Sequence, residues 1–209
     1  MDIFLTLLLF TVILIIVYFL LLRPWILTWG ASKQEVKMSL VGDEVVHKPH
    51  FIATRAVTIN APAAEVWQWI IQIGSARAGW YSLDRIDNAG VPSTMEILPE
   101  FQKIELDYYI PFTPDQKNGM WVKDFRHPEF ILWWDRKSNG TWGWYLQEFE
   151  RDRTRLITRL RTRYDFSFPW LIYYLFYDFG DIVMMRKCML GIKQRAELHH
   201  ASSKEKSVS

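Results

Sequence analysis

Cysteine is nearly missing from this chain of 209 residues, Cys188 being the only one. A lone thiol excludes an intramolecular disulfide framework. Histidine is sparse too, at His47, His50, His127, His199 and His200, and no Cys or His set has the spacing of a zinc site. No metal and no cofactor is therefore expected. An excess of charge is lacking as well: 25 Lys and Arg against 23 Asp and Glu leave a net charge of +2. A dedicated nucleic-acid binder is usually strongly basic, so no nucleic-acid partner is expected. No internal repeat is visible. What the chain has in quantity is aromatic side chains, with 11 Trp, 9 Tyr and 13 Phe. Large flat rings in that number suit a cavity wall, a membrane interface, or both.

Ile3 to Leu22 reads IFLTLLLFTVILIIVYFLLL and carries no charge. As a helix it reaches about 30 Å at roughly 1.5 Å per residue, the thickness of a bilayer's hydrocarbon core. Arg23, Pro24, Trp25 and Trp29 follow as a charge stop and interfacial rings. A cleaved signal peptide fits poorly, because Asp2 replaces the basic n-region and no small-residue cleavage site follows. The segment reads as a single-pass anchor in the cell membrane. Arg23, Lys33 and Lys37 lie on its C-terminal side and none on the other, which puts the rest of the chain in the cytoplasm.

The boundaries then fall at 1–29 for the anchor, 30–50 for a linker, 51–200 for a domain and 201–209 for a disordered tail. Within the linker, Gly42 to Val46 reads as a strand or turn lying on the domain. Ile52 to Asn60 alternates as a strand, with Arg55 on the Val57 and Ile59 face and so in need of a partner. Ala63 to Ile73 has a helical apolar face, stopped by Gly74. Trp80 to Ala89 reads as a second short helix. Strands are expected at Ile104–Phe112, Met120–Arg126, Glu129–Arg136, Gly140–Glu150 and Thr154–Asp165. The last two form a hairpin in which Phe149 would oppose Leu156, Gln147 Thr158 and Tyr145 Leu160. One face would then alternate Trp142 and Trp144 with Arg155, Arg159 and Arg161, as cation–π stacking allows. Pro169 to Leu198 reads as a long helix, apolar almost all round in its first part, where Trp170, Tyr173, Tyr174 and Tyr177 would either dip into the membrane interface or grip the sheet.

This order is an α+β arrangement: a curved antiparallel sheet around a long C-terminal helix, two short helices after the first strand, and one transmembrane helix in front. TRAVTINAPAAEVWQWIIQIG, RAGWYSLDRIDN, LPEFQ, TRLITRLR and VMMRKCMLGIKQRAE, in that order from Thr54 to Glu197, resemble a bacterial subgroup of the SRPBCC superfamily, also called START-like or helix-grip proteins. The chain departs from that pattern at Leu106, where the subgroup has a glycine before the aspartate. The resemblance implies a helix-grip fold with a cavity between sheet and last helix. That superfamily includes lipid and sterol carriers, polyketide cyclases and hydrolases, so the fold does not fix the function.

Seven residues stand out as ligand-binding candidates: Arg55, Trp80, Tyr81, Asp84, Glu100, Trp133 and Trp144. Trp80 would wall the pocket and Tyr81 offer a hydroxyl; the plainer reading is core packing with the hydroxyl bonded to backbone. Asp84 and Glu100, with Arg55 or Arg77 as partners, could serve as a general acid or base. They could equally be ion pairs or caps, and no residue is singled out as catalytic because no matched nucleophile or second acid is visible. Trp133, Trp134, Trp142 and Trp144 would line a pocket or fill an ordinary aromatic core. The six arginines from Arg151 to Arg163 read as a solvated sheet face, as a surface for anionic lipid, or as an RNA contact, which the anchor makes the weaker of the two binding readings. The leading expectation is a membrane-anchored carrier for a hydrophobic small molecule or lipid, and removal of Met1 to Leu27 would leave a soluble domain that still binds it. The alternatives are a cyclase- or hydrolase-type enzyme using a cavity carboxylate, and an assembly protein of a membrane complex.

Overall fold

A computed structural model of the chain describes residues 3–150, 152–164, 167 and 170–208, the side chains of 170–178 and of 207–208 excepted. The expectations for the rings of Trp170, Tyr173, Tyr174 and Tyr177 lie outside the described residues. Helix α1, Ile3–Thr28, is long and apolar enough to cross a membrane, with a mean hydropathy of 3.1 and no part of its most apolar stretch buried. A π-turn at Tyr18–Leu22 interrupts it, the Arg23 N–H reaching back to the Tyr18 carbonyl. Pro24 is the local cause: it has no N–H to give to the preceding turn, and it sits where a helix start tolerates it.

Six strands follow: β1 Phe51–Ile59, β2 Tyr109–Pro111, β3 Gly119–Arg126, β4 Phe130–Trp134, β5 Gly140–Glu150 and β6 Arg153–Thr162. They form one antiparallel sheet in the order β1-β6-β5-β4-β3-β2. Short helix α2 is Lys33–Lys37, α3 is Ala63–Ile71, α4 is Asp84–Asp87, and α5 is Trp170–Val208. The α+β arrangement read from the sequence is thus observed. The segment expected as a strand from Ile104 is ordered as β2 only at Tyr109–Pro111. The helix expected over Trp80–Ala89 shrinks to four residues, because Tyr81 takes a positive φ of 56° that a helix cannot continue through. Helix α5 runs on through the residues expected as a tail.

The β5–β6 hairpin corrects the expected register. Tyr145 pairs with Ile157, Leu146 with Leu156 and Gln147 with Arg155, and the ladder is irregular between Glu148 and Glu150. The pairing is three residues tighter than expected, and an odd shift exchanges the faces of a strand. Trp142 and Trp144 therefore lie beside Leu160 and Thr158, not among arginines. This inner face, with Phe51, Ala53 and Ile59 of β1, packs on Val66, Trp69 and Ile70 of α3 and on Met185, Met189 and Ile192 of α5. All are buried, and at spacings of three and four the helical residues form single stripes.

Arg155, Arg159 and Arg161 occupy the opposite face of the sheet and are largely covered, whereas Arg153 and Arg163 are exposed and Arg151 lies outside the described residues. That face carries a second core of Ala56, Phe130, Leu132, Tyr145 and Ile157, against which Ala31, Met38, Leu40 and Val45 pack. The expected linker is thus a cover for the sheet, and Gly42 to Val46 is the turn that lies on it. Arg159 is its rivet. The Arg159 guanidinium donates to Thr54 Oγ1, to Asp43 and to the carbonyls of Glu35, Val36 and Met38. Arg155 holds the Glu35 carboxylate by two bonds of 2.6 and 3.0 Å in the bidentate geometry that suits a guanidinium. Glu35 also closes a capping box with Ser32 at the start of α2.

Residues ahead of β1 also pack with the sheet and its core. Ile26 is 1% exposed, its carbonyl accepts a bond from Arg55 Nε at 2.9 Å, and Trp29 packs against the main core. A chain cut after Leu22 should therefore melt cooperatively near the full-length domain. One cut after Leu27 should lose about 2 kcal/mol for Ile26 burial and more for the bared Arg55 donor. Thermal unfolding of the two truncations in the same buffer checks this. A second outcome concerns acid. Hydrogen bonding from Arg155 holds the Glu35 carboxyl below its ordinary value of 4.5. That contribution to stability is complete above the ordinary value and is lost as pH falls through the lowered one. Wild-type Tm should fall more steeply than that of Glu35→Gln between roughly pH 5 and pH 3, since Gln keeps the capping box but does not titrate.

Candidate functional site

The interior between sheet and last helix, where a cavity was expected, is occupied by side chains. Trp133 and Trp144 are fully buried, Trp80 and Trp142 nearly so, and all belong to the same core as Met185, Cys188 and Met189. Trp80 lies parallel to Trp142 at 5.8 Å, and Trp142 contacts Trp133 at 5.3 Å and Trp144 at 5.1 Å. Trp142 donates to Thr158 Oγ1 at 2.9 Å, whereas the indole N–H groups of Trp80, Trp133 and Trp144 have no hydrogen-bond partner among the described residues. Burial pushes the Cys188 thiol well above its usual range, so it is an inert packing group.

A groove of about 820 Å³ lies instead on the other side of α5. Three elements build it. Helix α1 contributes Trp25 and the Trp29 that caps it, the loop before α4 contributes Tyr81 and Ser82 and α4 itself Asp84, and α5 contributes an apolar run and a set of cations. Ile182, Val183 and Leu190 are the apolar part; Arg186, Lys187 and Arg195 are the cations. The loop sits close to α5 because residue 191 is glycine, where a Cβ would overlap the Tyr81 carbonyl. Ser82 Oγ donates to the Met184 carbonyl at 2.9 Å and fixes the loop from below.

Most polar groups of the groove are already engaged. The Tyr81 hydroxyl donates to the Trp69 carbonyl and accepts from Gln72, as the plainer reading of that residue held. Burial pushes its ionisation well above the usual tyrosine range. Asp84 accepts from the Ser93 hydroxyl at 2.5 Å and from the Ser93 N–H at 3.1 Å, so it clamps the loop. Arg195 lies over the Tyr81 ring at 4.3 Å and donates to the carbonyls of Thr94, Gly191 and Ser93. Arg186 sits over the Trp29 ring at 5.2 Å. Lys187 is exposed.

Of the seven candidates, then, Tyr81 and Asp84 line the groove, while Trp80, Trp133 and Trp144 are core. Glu100 is exposed on a short 3-10 turn, Pro99–Phe101, away from the groove lining. Arg55 stands behind the groove. Its partner is Asp181, at 2.6 Å with side chains 1% and 8% exposed, rather than Asp84 or Glu100. The two atoms are close but off the hydrogen-bonding direction, so the pairing is chiefly electrostatic. Arg77 stacks on Phe101 and Tyr108. Sequence reasoning missed Asp87, whose carboxyl is raised by burial, and it missed Arg186 and Lys187 as a pair. It noted Trp25 and Trp29 only as interfacial rings.

Among the described residues no cluster of His, Cys, Asp or Glu has the make-up of a metal site. The joint behind the groove is testable. Removing one partner of a buried ion pair costs about 3–5 kcal/mol, whereas replacing both by apolar groups is often neutral. Asp181→Leu should lower Tm sharply, and Arg55→Met with Asp181→Leu should recover most of the loss. Calorimetry of the single and double variants measures it.

No family model matches the chain, and no curated protein matches it. Solved structures that resemble it include a conserved protein of unknown function, EF2215, from Enterococcus faecalis, with 11% identity, a TM-score of 0.46, and coverage of 77% of this chain and 88% of that one. The Polyketide_cyc-like protein Cgl2372 from Corynebacterium glutamicum has 13% identity and a TM-score of 0.38, over 71% of this chain and 92% of that one. CalU16 from Micromonospora echinospora has 14% identity and a TM-score of 0.34, over 72% and 86%.

Proposed function

We propose that the protein is a membrane-tethered binding domain that takes a hydrophobic small molecule of lipid-like class from the bilayer into the groove outside α5. The observation that carries this reading is that the groove's wall includes Trp25 and Trp29, which end the one described helix long and apolar enough to cross a membrane. Tryptophans at that position mark the level where hydrocarbon gives way to water. A molecule leaving the bilayer beside α1 meets Ile182, Val183 and Leu190 without crossing open solvent. Burial of its apolar surface, at about 25 cal/mol per Å², supplies the driving force. Arg23, Lys33 and Lys37, all after the apolar stretch, support a cytoplasmic domain by the positive-inside rule.

A carboxylate-dependent enzyme finds less support, since Asp84 is held by Ser93 and Glu100 is exposed. A second binding reading has an observation of its own. The unpartnered indole N–H groups of Trp80, Trp133 and Trp144 would be satisfied by a ligand with acceptor oxygens if these rings parted to admit it.

Mass spectrometry of the full chain extracted in mild detergent separates the two. Val183→Trp fills the groove at a side chain already 55% exposed. It should reduce retained hydrophobic ligand on the order of tenfold, equivalent to about 1.4 kcal/mol, while Trp133→Phe leaves it unchanged. The reverse pattern moves the ligand to the interior. A wild-type protein that retains nothing overturns both.

A further inference from the structure

Building on the groove reading, we infer that the molecule it takes is an anionic membrane phospholipid, its phosphate held between Arg186 and Lys187. The first argument is the order of chemistry along α5. The Phe179 ring stacks on Tyr18 at 5.4 Å, and seven residues later Arg186 lies over Trp29. Both chains advance in the same sense, so α5 emerges from beside the apolar stretch of α1 and leaves it at the tryptophans. Along that path Ile182 and Val183 come first and Arg186 and Lys187 exactly one i to i+4 step later, about 6 Å farther along the axis. Hydrocarbon first and cations next is the order that a phospholipid presents when read from its chains to its head.

The second argument is which charges are free. Three cations and one carboxylate line the groove. Arg195 is spent on three carbonyls and Asp84 on Ser93. Neither Arg186 nor Lys187 has a carboxylate partner among the described residues. Trp29 holds the Arg186 guanidinium by its face, which leaves its N–H edge for a phosphate, a group that a planar guanidinium binds in two-pronged fashion. Lys187 adds a mobile point charge. Of the arginines of β6, which the sequence also offered for headgroups, Arg155, Arg159 and Arg161 are occupied by Glu35 and Asp43, and Arg153 pairs with Glu150.

The test uses the full chain in mild detergent, exposed to equal amounts of phosphatidylglycerol and phosphatidylcholine with matched acyl chains, with bound lipid counted by native mass spectrometry. Wild type should retain the anionic lipid preferentially. Arg186→Gln and Lys187→Gln should each reduce that preference about fivefold, as expected for one basic charge near a headgroup. Total lipid retained and Tm should stay near wild type, because both side chains are exposed. Arg23→Gln should leave the preference intact. Equal retention of both lipids by wild type overturns the headgroup assignment and leaves the groove reading standing. Retention of neither overturns the groove reading itself. A preference that survives both substitutions, or that inorganic phosphate at millimolar concentration abolishes, overturns the assignment to a bilayer lipid held by this pair.

Discussion

A guanidinium buried on the inner face of the sheet's edge strand β1 is the constraint around which this molecule is arranged. Arg55 is fixed on β1 among Ala53, Val57 and Ile59, and it cannot shed its charge. In an apolar interior it must find compensation or the strand does not fold there. Two elements supply it from opposite ends of the chain: the Asp181 carboxylate from α5 and the Ile26 carbonyl from the end of α1. Because one side chain needs both, the apolar N-terminal helix and the last helix are set at a defined position relative to the sheet and to each other. The groove is the space left between them. A pair of this kind contributes little net stability compared with an apolar substitute, but it defines a geometry that grease alone would not.

The other face of the sheet uses arginine for a different end. Arg155, Arg159 and Arg161 are every second or fourth residue on β6, and an uncovered face of that kind would be a solvated stripe. Here residues 30–46 lie across it and turn carboxylates and carbonyls toward each guanidinium. Polar bonds do the fixing in this cover, and Ala31, Met38, Leu40 and Val45 do the filling. The chain between α1 and β1 is thereby packed on the sheet, and it joins the end of α1 directly to the folded domain.

Periodicity made the elements legible: the apolar helix, β1, α3, β5, β6 and α5 all follow from patterns of two or of three and four. Register and partnership did not follow. The β5–β6 pairing depends on an irregularity at Glu148–Glu150 that no residue type announces, and that single feature moved the arginines to the other face. The need of Arg55 for a partner was readable from its place on β1; the identity of Asp181 was not, being 126 positions away in the chain. Tyr81 and Asp84 were found because the loop carries its polar residues close together. Arg186 and Lys187 looked like ordinary solvated positions on an amphipathic helix, and only the packing of α1 against that helix gives them a site to belong to.

The crowding of the interior then has a consequence for the kind of selectivity available. A helix-grip fold with an open centre can read a ligand's shape on all sides. Here four tryptophans fill much of that centre, with ring separations of 5.1 to 5.8 Å in stacked, tilted and edge-to-face contacts. What is left to do the reading is a groove open to solvent on one side and bounded by α1 on the other. Such a groove recognises length and apolarity weakly, since one face of a bound chain stays uncovered. On the proposed reading it would discriminate by charge, because a headgroup would be met by Arg186 and Lys187, which have no carboxylate partner among the described residues. Selectivity would then rest on the polar end of the ligand and capture on its apolar end, which is the division of labour that the sequence of residues along α5 already displays.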